Sequence, residues 1–199
     1  WVWDTHGASK ARVEIAELKF WGAKVLHDVV DRAIQVHGAL GWSSDLPLAS
    51  LYVMARQFRI ADGADEVHKS FVAAKRGMAE SLRTISRARV GMKEFDVAHT
   101  LLGKSGALVI QIGDQRGMAE CLEYFARLKV AENNFENAVI LYALADHIRS
   151  KIHSPLGPAD SAERTQILKK AQRTVTSAQY REAWELGQSL EFAQALNFT

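Results

Sequence analysis

Cysteine is nearly absent: Cys121 stands alone among 199 residues, which excludes an intrachain disulfide and any zinc site built on cysteine pairs. A lone thiol fits a reducing compartment, so the cytoplasm is the expected location. Proline occurs only three times, at Pro47, Pro155 and Pro158, which leaves long stretches free to run as helix. Charge of one sign is missing too: 25 Lys and Arg against 23 Asp and Glu leave a net +2, without the basic excess that nucleic-acid binding needs. No run approaches the roughly 18 apolar residues of a membrane span. Trp1-Val2-Trp3-Asp4 lacks the basic and apolar regions of a signal peptide. Neither nucleic acid nor membrane is therefore an expected partner. The chain also lacks an initiating Met and begins within a pattern, as expected of a fragment of a longer reading frame.

What is present is apolar and helical in spacing. Hydrophobic residues make up 48% of the chain, enough for a buried core, and they recur at three- and four-residue intervals almost everywhere, which predicts an all-α protein. From about Ser9 to His37, residues such as Phe20, Val25, Leu26, Val29, Val30, Ala33 and Ile34 cover more than one face, as in a bundle helix with neighbours on several sides. Gly38-Ala39-Leu40-Gly41 ends it. Asp45 is expected to cap the next helix, with Pro47 in its first turn and its end near Ile60. After Asp62-Gly63, the acidic Asp65-Glu66 suits the start of a third helix running into the eighties.

The second half carries an internal repeat. Lys93-Glu94-Phe95-Asp96-Val97-Ala98 recurs 40 positions later as Asn133-Asn134-Phe135-Glu136-Asn137-Ala138. Met118, Cys121, Leu122 and Phe125 line one helix, and Ala138, Leu141, Tyr142, Ala145, Ile148 and Ile152 the next, so the unit reads as a helical hairpin that buries its apolar face against its neighbours. Two further helices, about Ala159 to Val175 and Ala178 to Leu196, would close the stack. The change of pattern predicts two segments, residues 1–84 and 85–199. Charge does not separate them, with 11 basic and 10 acidic residues in the first and 14 and 13 in the second.

Several motifs fail. Gly103-Lys104-Ser105 has the tail of a phosphate loop, but the glycine required five residues earlier is Ala98, and the tripeptide lies in a predicted helix. Gly38 and Gly41 follow no strand, so no dinucleotide fold is implied. The seven His show no metal-ligand spacing, and no metal is expected. Asp62 precedes a helix, and with Asp65 or Glu66 reaching back it approximates a capping box; composition and spacing alone favour that role.

A resemblance adds a second role. Ala33-Ile34-Gln35-Val36-His37-Gly38-Ala39-Leu40-Gly41, Asp45-Leu46-Pro47-Leu48-Ala49, Arg56, and Arg59-Ile60-Ala61-Asp62-Gly63-Ala64-Asp65-Glu66-Val67-His68 closely resemble the C-terminal helical domain of acyl-CoA dehydrogenases, over about Ala11 to Arg76. The branch is the one carrying Ala-Asp-Gly-Pro-Asp-Glu-Val-His. The resemblance implies that Gln35, Gly38 and Gly41 contact the FAD of a neighbouring subunit, that Asp62 is the catalytic base, and that Gly63 and Glu66 lie along the flavin. It implies an acyl-CoA substrate: a carboxylate takes the proton alpha to a thioester while the beta hydride goes to the flavin, and a desolvated site makes that carboxylate basic enough. Ala39 stands where the family has a second glycine, and Ala64 where it has Pro or Thr. The family's preceding helical domain and its β-domain are not within these residues, so the chain is expected to be inactive alone.

The second half resembles another family, the tetratricopeptide-like C-terminal region of large bacterial ATPase, adenylate-cyclase and LuxR-type regulators. The residues that carry it are Phe95-Asp96-Val97-Ala98, Ile112 through Leu122, Ala131 through Ala138, Pro155-Leu156-Gly157-Pro158 and Tyr180 through Gly187. Such regions bind partners or bridge domains, so an oligomer or protein partner is expected through the repeats, with Asp114 and Glu132 structural. The alternative expectation for the whole chain is a non-catalytic helical-repeat scaffold.

Overall fold

The computed structural model describes residues 12–199, so Trp1-Val2-Trp3-Asp4 and the Ser9–Ala11 start of the expected first helix lie outside the described residues. The chain divides into two compact units, Trp1–Lys75 and Arg76–Thr199. All regular structure among the described residues is helical, and no helix is long and apolar enough to cross a membrane. The chain is all-α, as the spacing of apolar residues predicts.

In the first unit, α1 (Arg12–Glu17) passes through a π-helical turn at Leu18–Gly22 into α2 (Ala23–His37). The short α3 (Ala39–Trp42) and then α4 (Leu48–Phe58) follow. Ala16, Ala23 and Val30 are buried, as is Ala55 of α4. α4 packs against α2, with the His27 and Tyr52 rings 4.7 Å apart and Trp42 meeting Tyr52 edge-on at 5.9 Å. One face remains uncovered: Leu18, Trp21, Val25, Val29 and Val36, at helical spacing, are all exposed.

Asp45 does not cap α4. Pro47 is the N-cap, its carbonyl accepting from the Leu51 amide at 2.9 Å, and Asp45 lies two residues too early to reach the free amides of the first turn. Its own amide donates instead to Ser43 Oγ at 3.2 Å.

The second unit is regular. After α5 (Asp65–Gly91) come α6 (Phe95–Gln111), α7 (Gln115–Ala131), α8 (Phe135–Lys151) and α9 (Pro158–Thr174), the last four of 17 residues each. The turns after α5, α6, α7 and α8 share one geometry. A residue with positive φ stands at Lys93, Gly113, Asn133 and His153, at intervals of 20. Its amide bonds to the carbonyl three residues back, and the next amide reaches back five, as in Glu94 to Arg89 and Asn134 to Lys129. This is the double closure that satisfies the last carbonyls of a helix. The repeat of 40 is thus two steps of 20.

The main core joins Ala98, Leu102 and Val109 of α6, Leu122, Phe125 and Leu128 of α7, and Leu141, Tyr142 and Leu144 of α8. Rather than lining one stripe, α8 is buried on two sides. Phe135, Val139 and Ile140 form a second cluster with Ala171 of α9 and Ala183 of α10 (Ser177–Ser189). Gly187 allows this: a Cβ there would overlap the Ile140 carbonyl oxygen and stand 2.7 Å from Ala143 Cβ. α11 (Phe192–Ala195) closes the end with Phe192 and Ala195 in the main core. Phe95 and Phe135 both open helices, as the repeat predicts, but only Phe135 is buried; Phe95 is half-buried.

Charges inside this unit are paired. Arg149 donates from Nε and Nη2 to the two Glu123 oxygens at 2.6 and 3.0 Å, and from Nη1 to the Ser154 carbonyl at 3.1 Å. Buried Arg83 reaches Glu120 at 2.7 Å and Ser105 Oγ at 3.3 Å, and the Ser105 hydroxyl donates to the Ala79 carbonyl. Gly103-Lys104-Ser105 lies mid-helix, as the apolar spacing predicts, with the Ser105 hydroxyl bonded inside the packing.

Candidate functional site

The residues singled out by the sequence lie at the end of α2 and in the turn that leads into α5. Gln35 is exposed on the last turn of α2. Gly38 closes that helix at φ 59°, its amide donating to the Gln35 carbonyl at 3.3 Å. A side chain there would meet nothing within 4 Å, so open space borders this backbone, and positive φ is the reason it is glycine. Gly41 has a different reason. It is buried, and a Cβ would stand 2.8 Å from the Ile34 carbonyl oxygen, so the missing side chain lets α3 fold back on α2. Ala39 is exposed at the start of α3, without crowding.

Between α4 and α5, Asp62 takes φ 58° and Gly63 φ 120°. These two left-handed steps move the helix start to Asp65 and the cap position to Ala64. Asp62 is therefore not the N-cap. Its carboxylate accepts instead from Lys19 Nζ at 2.6 Å, 43 residues upstream on the π turn. Asp62 is 78% exposed, and the Lys19 hydrogen bond holds its carboxyl below the usual aspartate range. The desolvated surroundings that would raise its basicity are not supplied by the described residues.

Asp65 takes the inward place. It is 4% exposed, and Arg59 holds its Oδ2 from Nε at 2.8 Å and Nη2 at 2.6 Å. Asp65 Oδ1 and His68 Nε2 are both buried without a hydrogen-bond partner. His68 Nε2 lies 3.3 Å from where a Gly63 side chain would begin. Glu66 is exposed in the first turn of α5.

Gln35 and the Gly38 backbone are polar and open to solvent, which is compatible with contact to a flavin, whereas the unpartnered His68 nitrogen is buried behind Gly63. The sequence does not single out Lys19, and Arg59 and His68 enter there only as members of the motif, without a site role. Arg59 and Asp65 are six apart and open to pattern reading, but nothing in the spacing of Lys19 and Asp62 marks them as a pair. Asp114 and Glu132 have structural partners: Asp114 caps α7 through the Gly117 amide at 2.9 Å, and Glu132 binds His99 and Lys129 at 2.8 and 2.9 Å. No group of three or more His, Cys, Asp or Glu among the described residues could hold a metal.

In the comparison with known proteins, the family match falls almost wholly on the first unit. Residues 2–77 match the family described as acyl-CoA dehydrogenase, C-terminal domain. A probable acyl-CoA dehydrogenase, FadE2, of Mycobacterium tuberculosis is 52% identical over 98 residues, which are 49% of this chain and 21% of that protein. Acyl-CoA dehydrogenase family member 11 of Rattus norvegicus is 51% identical over 70 residues, 35% of this chain and 9% of the relative. A probable acyl-CoA dehydrogenase, IBR3, of Arabidopsis thaliana is 52% identical over 65 residues, 33% of this chain and 8% of the relative. The chain thus spans only a minor part of the relatives it matches, and no solved structure matches it. The segment holding Gln35, Gly38, Gly41, Asp62, Gly63 and Glu66 is accordingly similar to the C-terminal domain of the acyl-CoA dehydrogenases.

Proposed function

We propose that residues 1–84 serve the α,β-dehydrogenation of acyl-CoA thioesters within an assembly that includes complete dehydrogenase subunits, and that the chain alone does not turn over. The observation that carries this reading is the Asp62–Gly63 turn. Its carboxylate is ionised and not committed to capping a helix, as a proton acceptor must be. Asp62 would take the proton alpha to the thioester carbonyl, and the electron pair of that C–H bond would become the new double bond as hydride leaves the beta carbon. Bound FAD would supply the hydride acceptor, with Gln35, Gly38, Gly41, Gly63 and Glu66 as its contacts from this chain. The surrounding subunit would have to exclude water, since basicity rises when a carboxylate is desolvated.

Residues 85–199 are read as tetratricopeptide-like hairpins that supply an interaction surface for an oligomer or a protein partner. The 20-residue period of their turns supports this. A purely scaffolding chain is the second reading, favoured by the exposure of Asp62; flavin colour retained on purification separates the two. The decisive experiment is Asp62→Asn in an assembly reconstituted with complete subunits. Loss of a general base predicts a rate lower by about 100-fold or more, with flavin content unchanged because the cofactor contacts are untouched. A rate near that of the parent would overturn the reading.

A further inference from the structure

We infer that Lys19 is the positioning residue of the Asp62 carboxylate, delivered to it by the π-helical turn at Leu18–Gly22. The inference rests on the reading of Asp62 as the base. π turns are rare, occur mostly as single interruptions of an α-helix, and are frequent where a functional side chain must be re-aimed. Here two consecutive residues of the turn reach the loop after α4 and the helix that follows it. Lys19 Nζ donates to Asp62 Oδ2 at 2.6 Å, and the Phe20 ring lies 5.8 Å beneath Lys69 Nζ of α5. Asp62 is itself at φ 58°, a left-handed step that Asp adopts more readily than most residues with a side chain. The π turn and the left-handed turn thus meet in one ion pair.

The pair does two things. It fixes which way the carboxylate points, and it holds the carboxyl below the usual aspartate range, so the basicity the reaction needs has to come from desolvation when the site is covered. The other titratable side chain acting on Asp62 is His68 of α5, whose effect is smaller and in the same direction. Asp65 nearby is neutralised by Arg59. Lys19 is therefore the group whose removal Asp62 should feel.

The test is a titration of the Asp62 side-chain carbon by NMR in the full chain, assigned by its absence in Asp62→Asn. In Lys19→Met the midpoint should rise toward the ordinary aspartate value of about 3.9, and in Lys19→Arg it should stay with the parent. Far-UV circular dichroism of both variants checks that the helices persist. An unchanged midpoint in a folded Lys19→Met variant overturns the inference. In the reconstituted assembly, the acid limb of the kcat/KM profile should move to higher pH in Lys19→Met and return in Lys19→Arg; an unmoved limb also overturns it. If Asp62→Asn keeps the parent rate while the NMR midpoint still responds to Lys19, the base reading fails and the pairing stands.

Discussion

Single residues show where sequence reading reaches its limit. That Asp62 stands before a helix is legible, because Asp-Gly followed by acidic residues is helix-start chemistry. That it is not the cap is illegible, because the decision lies in two positive φ angles and in a lysine 43 residues away. Buried residues are easier to foresee. Cys121 sits in the main core, and burial pushes its thiol up to about 12. An unfolded chain releases that proton near pH 8.5, whereas the folded chain keeps it. The stability gained by holding the thiol neutral is therefore full below about pH 8.5 and is lost as pH rises toward the folded value. Alkylation of Cys121 at pH 8 should proceed only as fast as global unfolding; rapid labelling of the native protein would show an open core. Phe135, 6% exposed, should lose about 3–5 kcal/mol on change to Ala, read from denaturation midpoints. Phe95→Ala should cost clearly less, since its ring is half-buried.

Among elements, the 40-residue repeat was visible because Phe95 and Phe135 open equivalent helices, but its half-period was not. The four turn positions are Lys93, Gly113, Asn133 and His153; they share a backbone conformation and nothing in side-chain chemistry. Glycine would relieve the left-handed strain at Lys93, so Lys93→Gly should stabilise by about 0.5–1 kcal/mol, while Gly113→Ala should destabilise by about 1–2 kcal/mol. Thermal unfolding of the two variants should shift in opposite directions. The contact of α10 with α8 offers a sharper case. Gly187→Ala places a methyl against the Ile140 carbonyl and Ala143, and overpacking of this kind costs about 1–3 kcal/mol. From sequence, Gly187 reads only as a poor helix residue; its purpose appears once α8 is found buried on both sides.

At the scale of the whole molecule, the helical class follows from apolar spacing, and its uneven burial does not. Large side chains such as Tyr142, Phe125, Leu122 and Leu141 are fully buried in the second unit, whereas buried residues of the first unit are small, among them Ala16, Ala23 and Ala55. Hydrogen exchange should follow that division, with amides of α7 and α8 protected longest and those of α1, α2 and α4 exchanging earlier, because local stability tracks buried apolar contact. Comparable protection in both sets would show that the exposed stripe of Leu18, Trp21, Val25, Val29 and Val36 is covered in solution. The evenly spaced turns also limit how the second unit can change in length. Successive helices joined by three-residue turns run in opposite directions, so excising one 20-residue step would reverse the direction of every helix that follows. Removing two steps restores it. Length variants of this segment should therefore obey a parity rule, surviving in multiples of a hairpin and failing in odd numbers of helices.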